Sequence, residues 1–230
     1  TGQPKGVQVE HSQLFHYCES VSQQLQLPEQ SHYGLISSLI ADLGNTMIFP
    51  AWLSGSCLHL LGKNEANDAL AFNQYCERYP LDCLKIVPTH LEALLCEGRS
   101  QLLPKQVLIL GGEPISHSLL IQLAELDAKC RIYNHYGPTE TTVGVLFGKV
   151  DLIHKKTSLT TTLGDNQVYL LDQNLQPTIS GQCAEIYIAG PNVTRGYLNN
   201  NKQTAQFYLN NPTNFSDNLT ANKMYRTGDL

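Results

Sequence analysis

The chain has 230 residues, of which 42% are hydrophobic and 15% charged, and this globular composition suits one large domain or two subdomains. Its net charge of −5 and its scattered Lys and Arg residues argue against a nucleic-acid partner. No apolar run reaches the ~18 residues that span a membrane, and no signal-peptide pattern is present, so we expect no membrane partner.

Cysteine and histidine usage indicates the compartment and gives little sign of a zinc site. The seven cysteines form no Cys-x-x-Cys pair, and several stand among apolar residues, as in Cys83-Leu84 and Leu95-Cys96. Reduced core cysteines of this kind are typical of a cytoplasmic protein. The eight histidines show no ligand spacing such as His-Glu-x-x-His, so the sequence gives little support for a zinc site.

Hydrophobic periodicity predicts strands that alternate with helices through about residue 148. The predicted strands cover 33–40, 57–61, 84–87 and 107–110, and a further strand begins near 132. Helices are predicted at 12–24, from the turn at 42–46 through 53, at 68–79 and at 116–127, and Thr89 with Glu92 suggests a capping box. This order indicates an α/β fold with a helix-covered, mainly parallel sheet.

The pattern changes after about residue 149. Two alternating segments, 168–171 and 184–188, are separated by turn signals and predict antiparallel hairpins. We therefore place a subdomain boundary between 149 and 162. The predicted organisation is an α/β subdomain at 1–150 and a smaller antiparallel β subdomain at 151–230.

The stretch 132–143 combines side chains that suit a nucleotide. Two β-favouring residues precede a Gly-Pro pair, which predicts a strand that delivers a polar loop to the ligand-binding edge of an α/β sheet. Tyr136 offers a flat face to a base, and Asn134 offers an amide that donates and accepts hydrogen bonds. Thr139 offers a hydroxyl to a phosphate, and Glu140 offers a hard oxygen to Mg²⁺. Taken alone, the stretch also fits an ordinary strand-ending turn.

The motif Asn-x-Tyr-Gly-Pro-Thr-Glu-Thr-Thr at 134–142 resembles the core motif of the adenylate-forming enzymes, in particular the amino-acid adenylation domains of nonribosomal peptide synthetases. The segments 1–7, 184–198 and 225–230 resemble other motifs of that family in the same order. The resemblance implies ATP and Mg²⁺ as cofactors, with Thr139 and Glu140 catalytic and Glu140 the metal ligand. The implied nucleotide contacts are Thr1, Gly2, Lys5, Gly112, Glu113, Pro114, Asn134, Tyr136, Gly137 and Asp229.

The same resemblance implies an amino-acid pocket in which Asp42 pairs with the substrate α-ammonium group. The implied lining is Leu43, Thr46, Lys85, Ile109, Gly111, His135, Val143 and Gly144. Because Lys85 and His135 can both carry positive charge, we expect a cationic pair best satisfied by a substrate carboxylate. This set is similar to the one associated with aspartate, so L-aspartate is the expected substrate and asparagine the runner-up. Alternatively, Lys85 pairs with a protein carboxylate and His135 is a satisfied core histidine.

The implied reaction is attack of the amino-acid carboxylate on the α-phosphorus of ATP, followed by loading onto the phosphopantetheine of a peptidyl carrier protein. Condensation domains of the same synthetase are further expected partners. The family's C-terminal lid would follow Leu230, so we expect a truncated large lobe with little activity by itself. Two alternatives are an acyl-CoA or aryl-acid ligase, against which Asp42 argues, and a non-catalytic module, whose expected loss of Glu140 or Asp229 is not seen.

Overall fold

A seven-stranded, mostly parallel sheet dominates the computed structural model, which describes residues 4–95, 102–211 and 223–230. The sheet order is β2-β1-β3-β4-β5-β6-β7, with β1 to β5 mutually parallel where they pair and β6 antiparallel to β5. This confirms the predicted sheet. The strands are β1 His32–Leu35, β2 Cys57–Leu60, β3 Cys83–Ile86, β4 Val107–Gly111, β5 Arg131–Tyr136, β6 Leu146–Lys149 and β7 Thr161–Thr162.

Helices connect the parallel strands, as the periodicity predicts. Two of them are capped by a side chain: Asp68 accepts from the Ala71 amide at 2.7 Å, and Ser116 accepts from the Leu119 amide at 3.0 Å. None of the helices described is long and apolar enough to cross a membrane. The helices are α1 His11–Gln24, α2 Asn45–Leu53, α3 Lys63–Asn67, α4 Ala69–Arg78, α5 Pro88–Leu95, α6 His117–Glu125 and α7 Asn201–Phe207.

The predicted strand at 33–40 is too long. Strand β1 ends at Leu35, and the chain then turns, with the Ala41 amide donating to the Ser38 carbonyl at 3.0 Å. Leu39 and Ile40 are apolar, but they are 74% and 98% exposed. An apolar run therefore overstated the strand, because hydrophobicity alone does not distinguish a buried strand from an exposed turn.

The predicted capping box is also wrong. Helix α5 begins at Pro88, so Thr89 lies inside the helix rather than before it. Its hydroxyl donates to the Glu113 carboxylate at 2.7 Å, and Glu92 accepts instead from the Ser116 hydroxyl. Proline suits the first helical position, because its missing N–H would have no partner there.

Side-chain alternation divides the strands between a core face and a site face. Leu84, Leu108 and Ile132 belong to the core cluster that includes buried residues of α4, α5 and α6. Because successive side chains point to opposite faces, the intervening residues Lys85 and Ile109 face the other side of the sheet. The site described below is built on that other side.

The later part of the chain forms a separate four-stranded antiparallel sheet in the order β10-β11-β9-β8, as predicted. Its small core contains Leu171, Tyr187, Ala189 and Met224. The strands are β8 Gln167–Leu171, β9 Glu185–Ala189, β10 Tyr208–Asn210 and β11 Lys223–Arg226.

The chain divides into two compact units that are discontinuous in sequence. The α/β unit comprises 18–136 and 146–161, and the β unit comprises 1–17, 137–145 and 162–230. The segment 137–145 thus joins the β unit although it links two strands of the larger sheet. The predicted division at residue 150 stays a prediction about domain organisation.

Candidate active site

A buried lysine is the centre of the polar cluster in the α/β unit. Lys85 on β3 is only 2% exposed, and its Nζ donates to Thr46 Oγ1 at 2.8 Å and to His135 Nδ1 at 3.2 Å. Lys85 is the register partner of Ile109, and Gly111 is the register partner of His135. Register partners share a sheet face, so the pairing of three parallel strands brings these residues together.

Burial sets the charge state of this pair. Desolvation lowers the pKa of Lys85 from 10.5 to about 7, and the negative charge of Asp42 partly opposes that shift. Burial, and then the charge of Lys85, holds the pKa of His135 well below 6.5. The expected cationic pair is therefore wrong for His135, which is neutral at pH 7. When Lys85 is protonated its ammonium group only donates, so Nδ1 of His135 then accepts and the ring proton sits on Nε2.

Gly111 provides the space in which this cluster sits. A Cβ at Gly111 would lie 2.7 Å from the His135 carbonyl oxygen and 3.5 Å from Lys85 Cε. The neighbouring Ile109 is fully buried. Three of the predicted pocket residues, Thr46, Gly111 and His135, therefore lie around the ammonium group of Lys85. Leu43 follows Asp42 in a short 3-10 helix, and its Cδ1 would lie 3.4 Å from a Cβ at Gly112.

Strand β5 separates two sets of predicted site residues. Asn134 and Tyr136 are half-buried and point to the face opposite His135, because they alternate with it along the strand. The predicted adenine contacts at 112–114 follow β4, the neighbour of β5, and all are exposed. Glu113 is held by the hydrogen bond from Thr89.

The segment 137–145 of the β unit is a strained, tightly folded loop. A Cβ at Gly137 would lie 2.3 Å from Gly144 Cα, so only glycine allows this approach. Thr142 and Val143 adopt left-handed φ values of 57° and 69°, which are rare for β-branched residues. Such strain persists only where surrounding contacts enforce it, and it concentrates at functional sites.

Asn192 supplies many of those enforcing contacts. It is fully buried, and its carbonyl accepts from Thr142 Oγ1 at 2.7 Å. Its backbone amide donates to Asn166 Oδ1 at 3.1 Å, and its side-chain Oδ1 accepts from His16 Nδ1 at 2.6 Å. Sequence reasoning missed Asn192, although it lies within the recognised segment 184–198, because it shows no pattern of its own.

Glu140 lies in the same loop and is held by an aromatic residue. Its carboxylate, in a residue only 9% exposed, accepts from the Tyr197 hydroxyl at 2.5 Å, and its carbonyl accepts from the Thr194 amide at 2.9 Å. The Lys5 ammonium group lies 4.8 Å from the centre of the Tyr197 ring. Burial and the Glu140 acceptor raise the pKa of Tyr197 to about 12, so its hydroxyl stays a donor. Tyr197 received no role from the sequence, although it stands inside a recognised motif.

The remaining predicted site residues of the β unit differ in their exposure to solvent. Thr139 is exposed at the start of a short 3-10 helix, and Val143 and Gly144 are buried. Asp229 is exposed, with its amide bonded to Thr227 Oγ1 at 3.0 Å. The predicted phosphate-loop residues Thr1 and Gly2 lie outside the described residues.

Comparison with known proteins identifies similar chains. A family model described as "AMP-binding enzyme" matches residues 1–198. Surfactin synthase subunit 2 of Bacillus subtilis is 30% identical, malpinin synthetase of Mortierella alpina 33% and bacitracin synthase 3 of Bacillus licheniformis 34%. Each alignment covers 100% of this chain, whereas the chain spans only 6%, 3% and 4% of those proteins, respectively.

Solved structures show the same fold. A four-domain nonribosomal peptide synthetase bound to AMP and glycine matches with a TM-score of 0.86 at 24% identity, over 99% of this chain and 17% of that one. The N-terminal subdomain of Klebsiella oxytoca NpsA, in complex with 3-hydroxybenzoyl-AMSN, matches with a TM-score of 0.81 at 23% identity, over 98% of this chain and 57% of that one.

Proposed function

This chain belongs to the AMP-binding enzyme family, and we propose on that premise that it activates L-aspartate with ATP. An oxygen of the α-carboxylate would attack the α-phosphorus of ATP as the bond to pyrophosphate breaks. The products would be aspartyl-adenylate and pyrophosphate. Transfers of this class depend on positioning and charge neutralisation, so the side chains that hold each substrate decide which acid is activated.

The observation that carries the choice of aspartate is the buried ammonium group of Lys85. Two of its three N–H donors bond to Thr46 and His135, and we assign the third to the substrate side-chain carboxylate. A carboxylate would supply the counter-charge that keeps the buried amine protonated. The carboxamide of asparagine brings no charge, so it would gain less from this contact.

The surroundings of Lys85 match both ends of aspartate. His135 is neutral beside Lys85, so Lys85 is the cation that faces this carboxylate. Asp42 supplies negative charge for the α-ammonium group, which favours an amino acid over an acid without an amino group. Glutamate is longer by one methylene group, which a closely packed pocket disfavours by about 1–3 kcal/mol.

We assign the parts of the nucleotide one by one to the residues that the sequence motifs single out. We assign the adenine to Asn134 and Tyr136, since an amide and an aromatic face suit a purine. We assign the ribose hydroxyls to the exposed carboxylate of Asp229, which can accept from both. The hydroxyl of Thr139 is assigned to a phosphate oxygen.

Magnesium fits the chemistry of Glu140. Mg²⁺ prefers hard oxygen ligands and needs only one or two protein carboxylates beside phosphate and water. The Glu140 carboxylate is fixed by Tyr197, and its backbone is fixed by Thr194, so it is a preorganised oxygen ligand. When bound there, the ion would neutralise the charge that develops on the phosphate.

The partners follow from similarity to segments of much larger synthetases. We propose that the aspartyl group passes from the adenylate to the phosphopantetheine thiol of a peptidyl carrier protein. In that transfer a thioester bond forms and AMP leaves. Condensation domains of the same synthetase would then use the thioester.

Amino-acid-dependent exchange of pyrophosphate into ATP tests the proposal, using the full-length protein and every proteinogenic amino acid. We expect exchange to be strongest with L-aspartate. Removing one partner of a buried charge pair costs about 2–5 kcal/mol, so Lys85→Met should lower kcat/KM for aspartate by about 30-fold or more. Lys105→Met, which removes an exposed lysine, is the matched control and should leave kcat/KM unchanged.

Each other outcome would redirect the assignment. Exchange led by an unrelated amino acid would keep the adenylation reaction but discard the role of Lys85. Activation of acids without an amino group would favour an acyl-CoA or aryl-acid ligase. No exchange with any acid would favour a non-catalytic module.

A further inference from the structure

A cluster of three potential metal ligands lies on β1 and on the edge strand β2 of the large sheet. In the parallel register of β1 and β2, His32 faces Cys57. Because side chains alternate along a strand, Cys57 and His59 share one face of β2, and His32 shares it as the partner of Cys57. The fold thus brings together His32 and His59, which are 27 residues apart in sequence.

The ligand atoms are close enough for one ion. The ring nitrogens of His32 and His59 and the sulfur of Cys57 all lie within 4.8 Å of one another. His32 Nδ1 and His59 Nε2 are 2.7 Å apart. A tetrahedral zinc ion with bonds of about 2.0–2.3 Å separates its ligand atoms by about 3.3–3.6 Å. Small side-chain adjustments therefore convert this cluster into a coordination sphere.

We propose that His32, Cys57 and His59 bind Zn²⁺ through two imidazole nitrogens and one thiolate, with water as the fourth ligand. This ligand set is typical of zinc, which is borderline soft and accepts nitrogen and sulfur. The hydrogen bond between His32 and His59 would break, and the proton that it holds would move to the remote nitrogen of the same ring. The thiol of Cys57 would lose one proton to solvent, as zinc–thiolate binding requires.

The residues around the cluster support this role. His59 presents its other nitrogen, Nδ1, to the Tyr75 hydroxyl at 2.8 Å. A metal-bound histidine nearly always donates from its second ring nitrogen, which fixes its tautomer and orientation. The Tyr75 ring packs edge-on against His59, and Tyr79 lies against both rings. The start of β1 is held by the His32 amide, which donates to Asp82 Oδ2 at 2.9 Å.

The site would tie an edge strand to its neighbour. Strand β2 lies at the end of the sheet and pairs only with β1 in the described sheet order. Edge strands present unpaired backbone groups and are the least protected part of a sheet. A metal that joins β1 to β2 would hold that edge closed. This inference is independent of the proposed adenylation, because none of its ligands belongs to the groups assigned there.

Metal titration of the chelator-treated full-length protein tests the site. We expect wild-type protein to bind one more equivalent of Zn²⁺, measured by calorimetry, than Cys57→Ser or His59→Ala protein. With Co²⁺ as a probe, the wild type should show a thiolate-to-cobalt charge-transfer band that Cys57→Ser lacks. The matched controls are Cys183→Ser and His117→Ala, which remove an exposed cysteine and an exposed histidine.

Two further measurements separate a metal site from a structural role. Tyr75→Phe should weaken Zn²⁺ binding about 10-fold to 100-fold without changing the stoichiometry. Zinc should slow hydrogen exchange in the peptide that contains β2 in the wild type but not in His59→Ala. Equal stoichiometry in wild type and both variants would overturn the proposal, as would a charge-transfer band that survives in Cys57→Ser. If His59→Ala does not fold, judged by circular dichroism, His32→Gln at the exposed ligand decides the same question.

Discussion

Replacement of Lys85 by methionine should change how stability depends on pH. In the wild type, burial lowers the pKa of this amine from 10.5 to about 7. Below pH 7 the amine is charged in both the folded and the unfolded chain. Each unit of difference between the folded and the unfolded pKa corresponds to about 1.4 kcal/mol, so burying the charge costs about 5 kcal/mol. Above pH 10.5 the amine is neutral in both states and the cost is gone. Stability of the wild type should therefore rise with pH across this window.

The magnitude follows from the two pKa values. Between pH 7 and pH 9 the unfolding free energy of the wild type should rise by about 2 kcal/mol relative to Lys85→Met, which carries no charge at this position. Methionine has a similar length, so the cavity is nearly unchanged. The comparison between proteins cancels the titration of all other groups.

Urea unfolding at pH 7, 8 and 9, followed by the fluorescence of Trp52, measures this difference. Trp52 is the single tryptophan of the 230 residues and lies in α2, the helix that also carries Thr46 of the Lys85 cluster. The control is Lys105→Met, because Lys105 is exposed and its ammonium group loses little hydration on folding. A wild-type minus Lys85→Met difference that stays flat, or that falls as the pH rises, would refute the assignment of a desolvated charge.

Three further substitutions test the local geometry by the free energy of unfolding and by pyrophosphate exchange. Tyr197→Phe removes a donor to the buried Glu140 carboxylate and should destabilise the protein by about 1.5–3 kcal/mol, while raising the Mg²⁺ concentration needed for exchange. Gly111→Ala places a methyl group 2.7 Å from the His135 carbonyl oxygen, so we expect about 1–3 kcal/mol of destabilisation and a higher KM for aspartate. Gly137→Ala meets backbone at 2.3 Å and should be at least as destabilising as Gly111→Ala.

Matched controls exist for these substitutions. Tyr208→Phe removes a bond to the neutral hydroxyl of Thr194, so it should cost only about 0.5–1.5 kcal/mol. Gly6→Ala would meet only the flexible Leu198 side chain, at 3.4 Å, and should be better tolerated than either other glycine replacement. If Tyr197→Phe protein is as stable as Tyr208→Phe protein or more so, the hydrogen bond from Tyr197 to the Glu140 carboxylate does not have the strength expected of a charged pair. If Gly137→Ala protein is as stable as the wild type, the close approach of Gly137 to Gly144 is contradicted.

Local patterns in the sequence determined the elements and their order. Hydrophobic periodicity and caps such as Ser116 are read within a few residues, so α1, α4, α6 and the strands β2 to β4 were predicted close to their observed positions. The polar residues that follow β5 were recognisable for the same reason. The elements α3, β6, α7, β10 and β11 were not predicted. The end of β1 was mispredicted because Leu39 and Ile40 are apolar but exposed.

Only the tertiary structure decided which groups meet and what charge they carry. Lys85 and His135 are 50 residues apart, and Glu140 and Tyr197 are 57 apart, so no local pattern connects either pair. The charge of His135 depends on its burial and on a neighbouring ammonium group, which the type of residue does not reveal. The cluster of His32, Cys57 and His59 exists because of a strand register. Register is a long-range property, since backbone pairing between distant strands sets which side chains share a face.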